Sequence, residues 1–173
     1  MLATGSAFTS EPFTIERLMA LAIAFAGSVA LWWCYFGRIE AIGVEAAETA
    51  DDAGTVGWWG TQTLTLIVLA VIAIAVGDQL AIVRPGDEST PSFAILTFGG
   101  PAVFLLAQLL FLRETLGHVL RSRVWGIAAL FVLAVATAPL SLIWGIAAAG
   151  AVLAAVALGE TVGRLPQSAA PGA

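Results

Sequence analysis

The chain has 173 residues, 60% of them apolar and 11% charged, with a mean hydropathy of +0.96 and a formal charge of −5. Soluble domains are about 45–50% apolar and about 25% charged, so this composition excludes a water-soluble fold, and a chain this apolar cannot stay solvated as a disordered coil. The expected class is all-α, a polytopic transmembrane helical bundle whose first partner is the lipid bilayer.

Taken in chain order, residues 1–17 read as an external N-terminal segment. Its polar stretch Gly5–Glu16 has no Arg-rich start followed by a short apolar run, so it resembles a connecting loop more than a secretory leader. Glu16-Arg17 then marks the edge of the first span, as a surface ion pair or an interface anchor. A bilayer core of about 30 Å needs around 20 apolar residues in a helix, and runs at 18–36, 61–83 and 93–112 supply them without Lys, Arg or Glu. Between the first two, Gly37–Gly60 carries Glu40, Glu45, Glu48, Asp51 and Asp52 and reads as a solvated loop or a short surface helix. The last apolar stretch, Val124–Leu158, would be about 52 Å long as one helix at about 1.5 Å per residue. Pro139 lies near its middle and lacks an amide proton. The stretch therefore predicts a hairpin with legs at 124–138 and 140–158, which makes five spans with a short fourth, followed by a flexible tail at 161–173.

Indole rings concentrate where membrane meets water. Trp32 and Trp33 end span one, Trp58 and Trp59 precede span two, Trp125 opens span four, and Trp144 lies one turn into span five. All six are expected membrane-interface anchors. The basic residues are seven Arg and no Lys. Placing the Arg113–Arg123 loop in the cytoplasm gathers Arg38, Arg113, Arg121, Arg123 and Arg164 on that side and leaves Arg17 and Arg84 outside, which predicts N-out, C-in. Absence of both Lys and Asn suggests a GC-rich bacterial genome; the expected location is the bacterial cytoplasmic membrane.

Few residues offer chemistry. Cys34, the lone cysteine, sits in an apolar run and reads as a small buried hydrophobe. His118 is the lone histidine and lies in the Arg-rich loop, where it has no second ligand. No catalytic triad, carboxylate pair or phosphate-binding loop is present, so no enzyme activity, cofactor or metal is expected. The negative charge argues against nucleic acid as a partner.

Asp78 is the costliest side chain in any predicted span, roughly 8 Å below the outer boundary at about 1.5 Å per residue. Gly99-Gly100-Pro101 enters span three at about the same depth. Pro101 cannot donate to the carbonyl of Thr97, and the two glycines loosen the turn before it. Asp78, Gly99, Gly100 and Pro101 therefore form a candidate polar intramembrane site. One reading is a cation or proton site built from a carboxylate and freed carbonyls. The other is a local pair, for instance with Arg84, beside a plain kink. Gln108, near the inner end of span three, is expected to hydrogen-bond a neighbouring helix. Small residues four apart, Ala22, Ala26 and Ala30 in span one and Ala147, Ala151, Ala155 and Gly159 in span five, predict faces for close helix packing.

Four stretches are similar to a known family: Ala3-Thr4-Gly5 with Glu11-Pro12-Phe13, Ala30-Leu31-Trp32-Trp33-Cys34-Tyr35-Phe36, Ala75-Val76-Gly77-Asp78-Gln79-Leu80 with Pro85, and Gly99-Gly100-Pro101-Ala102 with Leu105-Leu106. Together they resemble the carboxy-terminal half of the low temperature requirement A family of bacterial membrane proteins. The resemblance implies a multi-pass membrane protein linked to growth in the cold, and brings no defined biochemical activity. Members carry further spans ending in Gly-Glu-Ser ahead of this region, so the chain resembles a truncated or mis-started member. They also often have a His and a Pro near the start of span two, where this chain has Leu64-Thr65-Leu66. The expected function is a structural part of a larger membrane protein, whose helices meet the missing amino-terminal half or a second copy of the chain. The alternative is half of a cation- or proton-coupled transporter or channel with Asp78 near the pathway.

Overall fold

A computed structural model describes residues 14–36, 53–116 and 120–162. The external segment up to residue 13, the acidic residues Glu40 to Asp52, Arg38, His118, Arg164 and the tail from residue 163 lie outside the described residues.

Helix α1 is Ile15–Phe36 and opens with Glu16 in its first turn, where a carboxylate complements the helix dipole. Helix α2 is Ala53–Val83, 31 residues, so it starts well before the predicted boundary at Thr61. Two threonines near its start turn their hydroxyls back on the helix, Thr61 Oγ1 donating to the carbonyl of Gly57 at 2.9 Å and Thr65 Oγ1 to that of Thr61 at 3.0 Å. Each hydroxyl is thereby satisfied within its own helix, as a lipid surroundings demands. The third rod begins at Thr90, whose Oγ1 accepts from the amide of Phe93 at 3.3 Å, with Pro91 at a position that needs no donor. It runs as α3 (Pro91–Ala94), a π-helical stretch Ile95–Gly99, and α4 (Gly100–Leu116). Helices α5 (Arg121–Ala136) and α6 (Leu142–Val162) are the legs of a hairpin that turns over residues 137–141 around Pro139.

Among the described residues, four helices are long and apolar enough to cross a membrane by length and composition: Ile15–Phe36, Gly57–Val83, Pro91–Glu114 and Leu142–Thr161. The protein is thus an all-α, multi-pass membrane bundle. Helix α5, with 16 residues, reaches only about 24 Å at about 1.5 Å per residue. The third rod is the central one, 61% of its apolar window being buried against 22% for α2. Outside it, Leu66, Leu69, Ile72, Phe131 and Val135 are among the many large side chains left exposed on the outer surface, where lipid is their solvent.

Lipid tails are as apolar as leucine, so close packing rather than dehydration holds such helices together. One buried cluster joins Leu31, Phe98, Phe104, Leu105, Leu130 and Leu153, and a second joins Ala20, Ala24, Ala81, Ile82, Phe93 and Leu142. Helix α1 lies mainly on α6, and α2 on α4. At the α1–α6 crossing, a Cβ added at Gly150 would sit 3.7 Å from the Cα of Gly27. The small-residue stripes lie largely outside the seams of this bundle. In α1 the buried face is Ala20, Ala24, Ala30, Leu31 and Cys34, while Ala22 and Ala26 are exposed; in α6, Ala151, Ala155 and Gly159 are exposed as well.

Both short connections meet at one end of the bundle. Glu88 and Ser141 form an isolated antiparallel bridge, with the amide of Ser89 on the carbonyl of Leu140 at 3.3 Å, that of Leu142 on Asp87 at 3.0 Å, and that of Ile143 on Pro85 at 3.3 Å. Arg17 joins the same end, its Nη2 donating to the carbonyl of Val83 at 3.0 Å.

Candidate functional site

Asp78 sits on α2 five residues before its end, half-buried, and among the described residues no hydrogen bond or ion pair reaches its carboxylate. The local pair considered from sequence is not formed. Arg84 turns outward and lies 3.8 Å from Asp87, both side chains being largely exposed, because the turn after Val83 carries Arg84 away from the helix face that holds Asp78.

Opposite Asp78, the predicted break in span three takes a different form. The helix does not stop at Gly99-Gly100-Pro101; it widens into the π-helical turn Ile95–Gly99 and resumes at Gly100. One wide turn absorbs the donor that Pro101 lacks without ending the rod. The consequence is positional. Thr97, in the middle of the wide turn, faces α2 so closely that a Cβ on Gly77 would lie 2.8 Å from Thr97 Oγ1. That hydroxyl is buried and has no hydrogen-bond partner among the described residues. Asp78, Thr97 and Pro101 line one small cavity of about 20 Å³ together with Gly27, Gly150 and Leu153. Gly100 does not line it; it packs on α2, where a Cβ would meet the backbone carbonyl of Ala70 and the amide of Ile74, both at 3.2 Å. Gly99 is also apart from the cavity.

Asp78 borders a second space, a groove of about 440 Å³ between α1 and α2 whose other polar linings are Ser28 and Gln79. The carboxylate therefore stands between an outward-facing groove and an inner cavity.

At the other end of the bundle lies a polar cluster that sequence reasoning missed. Arg123, counted above as a loop arginine, is 0% exposed. Its guanidinium forks onto Glu160, Nε to Oε1 at 2.8 Å and Nη2 to Oε2 at 3.1 Å, the two-point geometry that suits arginine to carboxylates. Nη1 donates to Oε1 of Gln108, and Nη2 also approaches the carbonyl of Cys34 at 3.5 Å. Ser122 Oγ adds a bond to Glu160 Oε1 at 3.1 Å. Four helices, α1, α4, α5 and α6, are tied through one guanidinium. The signal available in the sequence was position: Arg123 and Glu160 stand near the free ends of the two legs of one hairpin, and antiparallel packing brings those ends together.

Cys34 is 2% exposed, with Sγ 3.5 Å from the carbonyl of Leu153. Being the lone cysteine, it reports on the cluster. It is expected to resist a membrane-permeant maleimide in the folded protein and to react fully once SDS or guanidinium opens the bundle; rapid labelling without denaturant would contradict the packing described.

The six tryptophans lie toward helix ends. Trp32, Trp33, Trp58, Trp125 and Trp144 are exposed, and Trp59 is half-buried with its ring edge-on to Trp58 at 5.0 Å.

A model of the family described as bacterial low temperature requirement A protein (LtrA) matches residues 1–158. An uncharacterized protein of Rhizobium meliloti (strain 1021) is 30% identical over 111 residues, which make up 64% of this chain and 27% of that protein. The chain thus spans about a quarter of the relative's length. No solved structure matches.

Proposed function

From a chain that belongs to the low temperature requirement A family and is a multi-pass membrane protein, we infer that its role is structural: a helical part of a larger membrane protein in the bacterial cytoplasmic membrane, with no enzymatic activity of its own. The observation that supports this reading is the Arg123–Glu160–Gln108 cluster, where the buried charges are spent on joining helices rather than held ready for a substrate. The uncovered small residues Ala22 and Ala26 on α1, and Ala151, Ala155 and Gly159 on α6, suit close approach of further helices, from an amino-terminal half or from a second copy.

The unpaired Asp78 favours a second reading, half of a cation- or proton-coupled transporter or channel. Ion flux into vesicles of defined lipid separates the two. A structural part adds no sodium or proton flux above protein-free vesicles. A transporter adds one that Asp78→Asn removes while the protein still inserts.

Orientation in the membrane has its own test. Arg113 and Arg121 flank the end that holds the Arg123 cluster, and Arg17 and Arg84 stand at the other, which supports N-out, C-in. In whole cells, a cysteine at Asp87 is expected to take an impermeant maleimide and one at Glu114 to be protected; the reverse pattern would invert the topology.

A further inference from the structure

Two groups within the bundle lack what their surroundings demand. Asp78 is a carboxylate within a membrane span and has no hydrogen-bonding or ionic partner among the described residues. Thr97 is 4% exposed and its hydroxyl is equally unpartnered. Both line the same cavity of about 20 Å³, and a space of about 10–15 Å³ or more by this measure holds one water-sized sphere. A carboxylate and a hydroxyl are both hard oxygen donors, the kind that suits s-block cations.

Charge selects the class of ion. One carboxylate balances one positive charge, whereas a divalent ion would leave a net charge in a low-dielectric interior. Calcium takes six to eight oxygens, carboxylates among them, and magnesium keeps an octahedral shell with several waters, and a lone carboxylate with one hydroxyl supplies neither set. We propose that Asp78 and Thr97 bind a single sodium ion in the cavity between α1, α2, the π-helical turn and α6. The groove between α1 and α2 is its approach. Asp78 borders both spaces, and Ser28 and Gln79 supply polar groups along the way. Gly77 keeps the site open on the α2 side, since any side chain there would strike Thr97 Oγ1 at 2.8 Å. This deepens the second reading of function, yet the site requires binding only, not transport.

The test is equilibrium binding of radioactive sodium to the purified full chain in detergent, with choline as the background cation. One saturable sodium per chain is expected, abolished in Asp78→Asn, weakened at least tenfold in Thr97→Val and kept in Thr97→Ser. No saturable binding, or binding indifferent to Asp78→Asn in a folded variant, overturns the site; in that case Asp78 carries a proton instead. Protection of Cys34 from maleimide certifies the fold of each variant. Should Asp78→Asn expose Cys34, the Thr97→Val and Thr97→Ser pair decides alone, equal affinity in both overturning the proposal. Sodium binding without vesicle flux retains the site and removes only the transport reading.

Discussion

Glu160→Ala is expected to destabilise the protein by about 3–5 kcal/mol, the usual cost of removing one partner from a buried ion pair. The alanine leaves the Arg123 guanidinium fully enclosed, with Gln108 Oε1 and the distant Cys34 carbonyl as its remaining acceptors. Its charge can neither reach water nor be shed, because arginine does not deprotonate in proteins. The measurement is the SDS or guanidinium midpoint at which Cys34 becomes reactive. Arg123→Leu combined with Glu160→Leu should recover most of the loss, since exchanging a whole buried pair for packed hydrocarbon is often neutral. A single variant no less stable than the double one would show that the charges are not coupled.

Gly100→Ala is expected to cost about 1–3 kcal/mol through overpacking. The new methyl would lie 2.8 Å from Ile74 Cγ1 and 3.2 Å from both the Ala70 carbonyl oxygen and the Ile74 amide nitrogen. A side chain can rotate away, but backbone cannot, so α2 and α4 must separate. Gly159→Ala is the control. It lies in α6, a Cβ there meets nothing within 4 Å, and its stability should be unchanged or slightly raised. Equal behaviour of the two variants in the same unfolding assay would contradict the α2–α4 contact.

The architecture was legible because lipid imposes a length rule that apolar runs either meet or fail. Residues Thr61–Val83 could only be a span, and Pro139 could only divide the last stretch. What composition could not supply was the choice of face. In α1, both Ala22–Ala26–Ala30 and Ala20–Ala24 with Leu31 and Cys34 are apolar throughout, and a lipid-facing alanine looks the same as a buried one. Gly99-Gly100-Pro101 announced an irregular helix, yet whether the rod breaks or widens depends on which backbone neighbours stand ready. Widening is what brings Thr97 to the cavity of Asp78. Arg123 misled for a physical reason as well. An arginine near a span end ordinarily extends to the headgroups, and only a carboxylate 37 residues away in sequence turns it inward.

The paired connections at residues 84–90 and 137–141 bear on how thick a membrane this protein accepts. A helix of 16 residues is several residues short of a hydrocarbon slab of about 30 Å, so the turn that follows α5 must sink below the level of the lipid headgroups or the leaflet must thin around it. Ordinary loops do not tolerate that depth, because their amides and carbonyls would go unsatisfied in hydrocarbon. Here each turn supplies the other's hydrogen bonds, at Ser89 on Leu140, Leu142 on Asp87 and Ile143 on Pro85. Since Arg84, Asp87 and Glu88 on this end are exposed charges that belong in water, the leaflet is the partner that yields, thinning toward the joined turns.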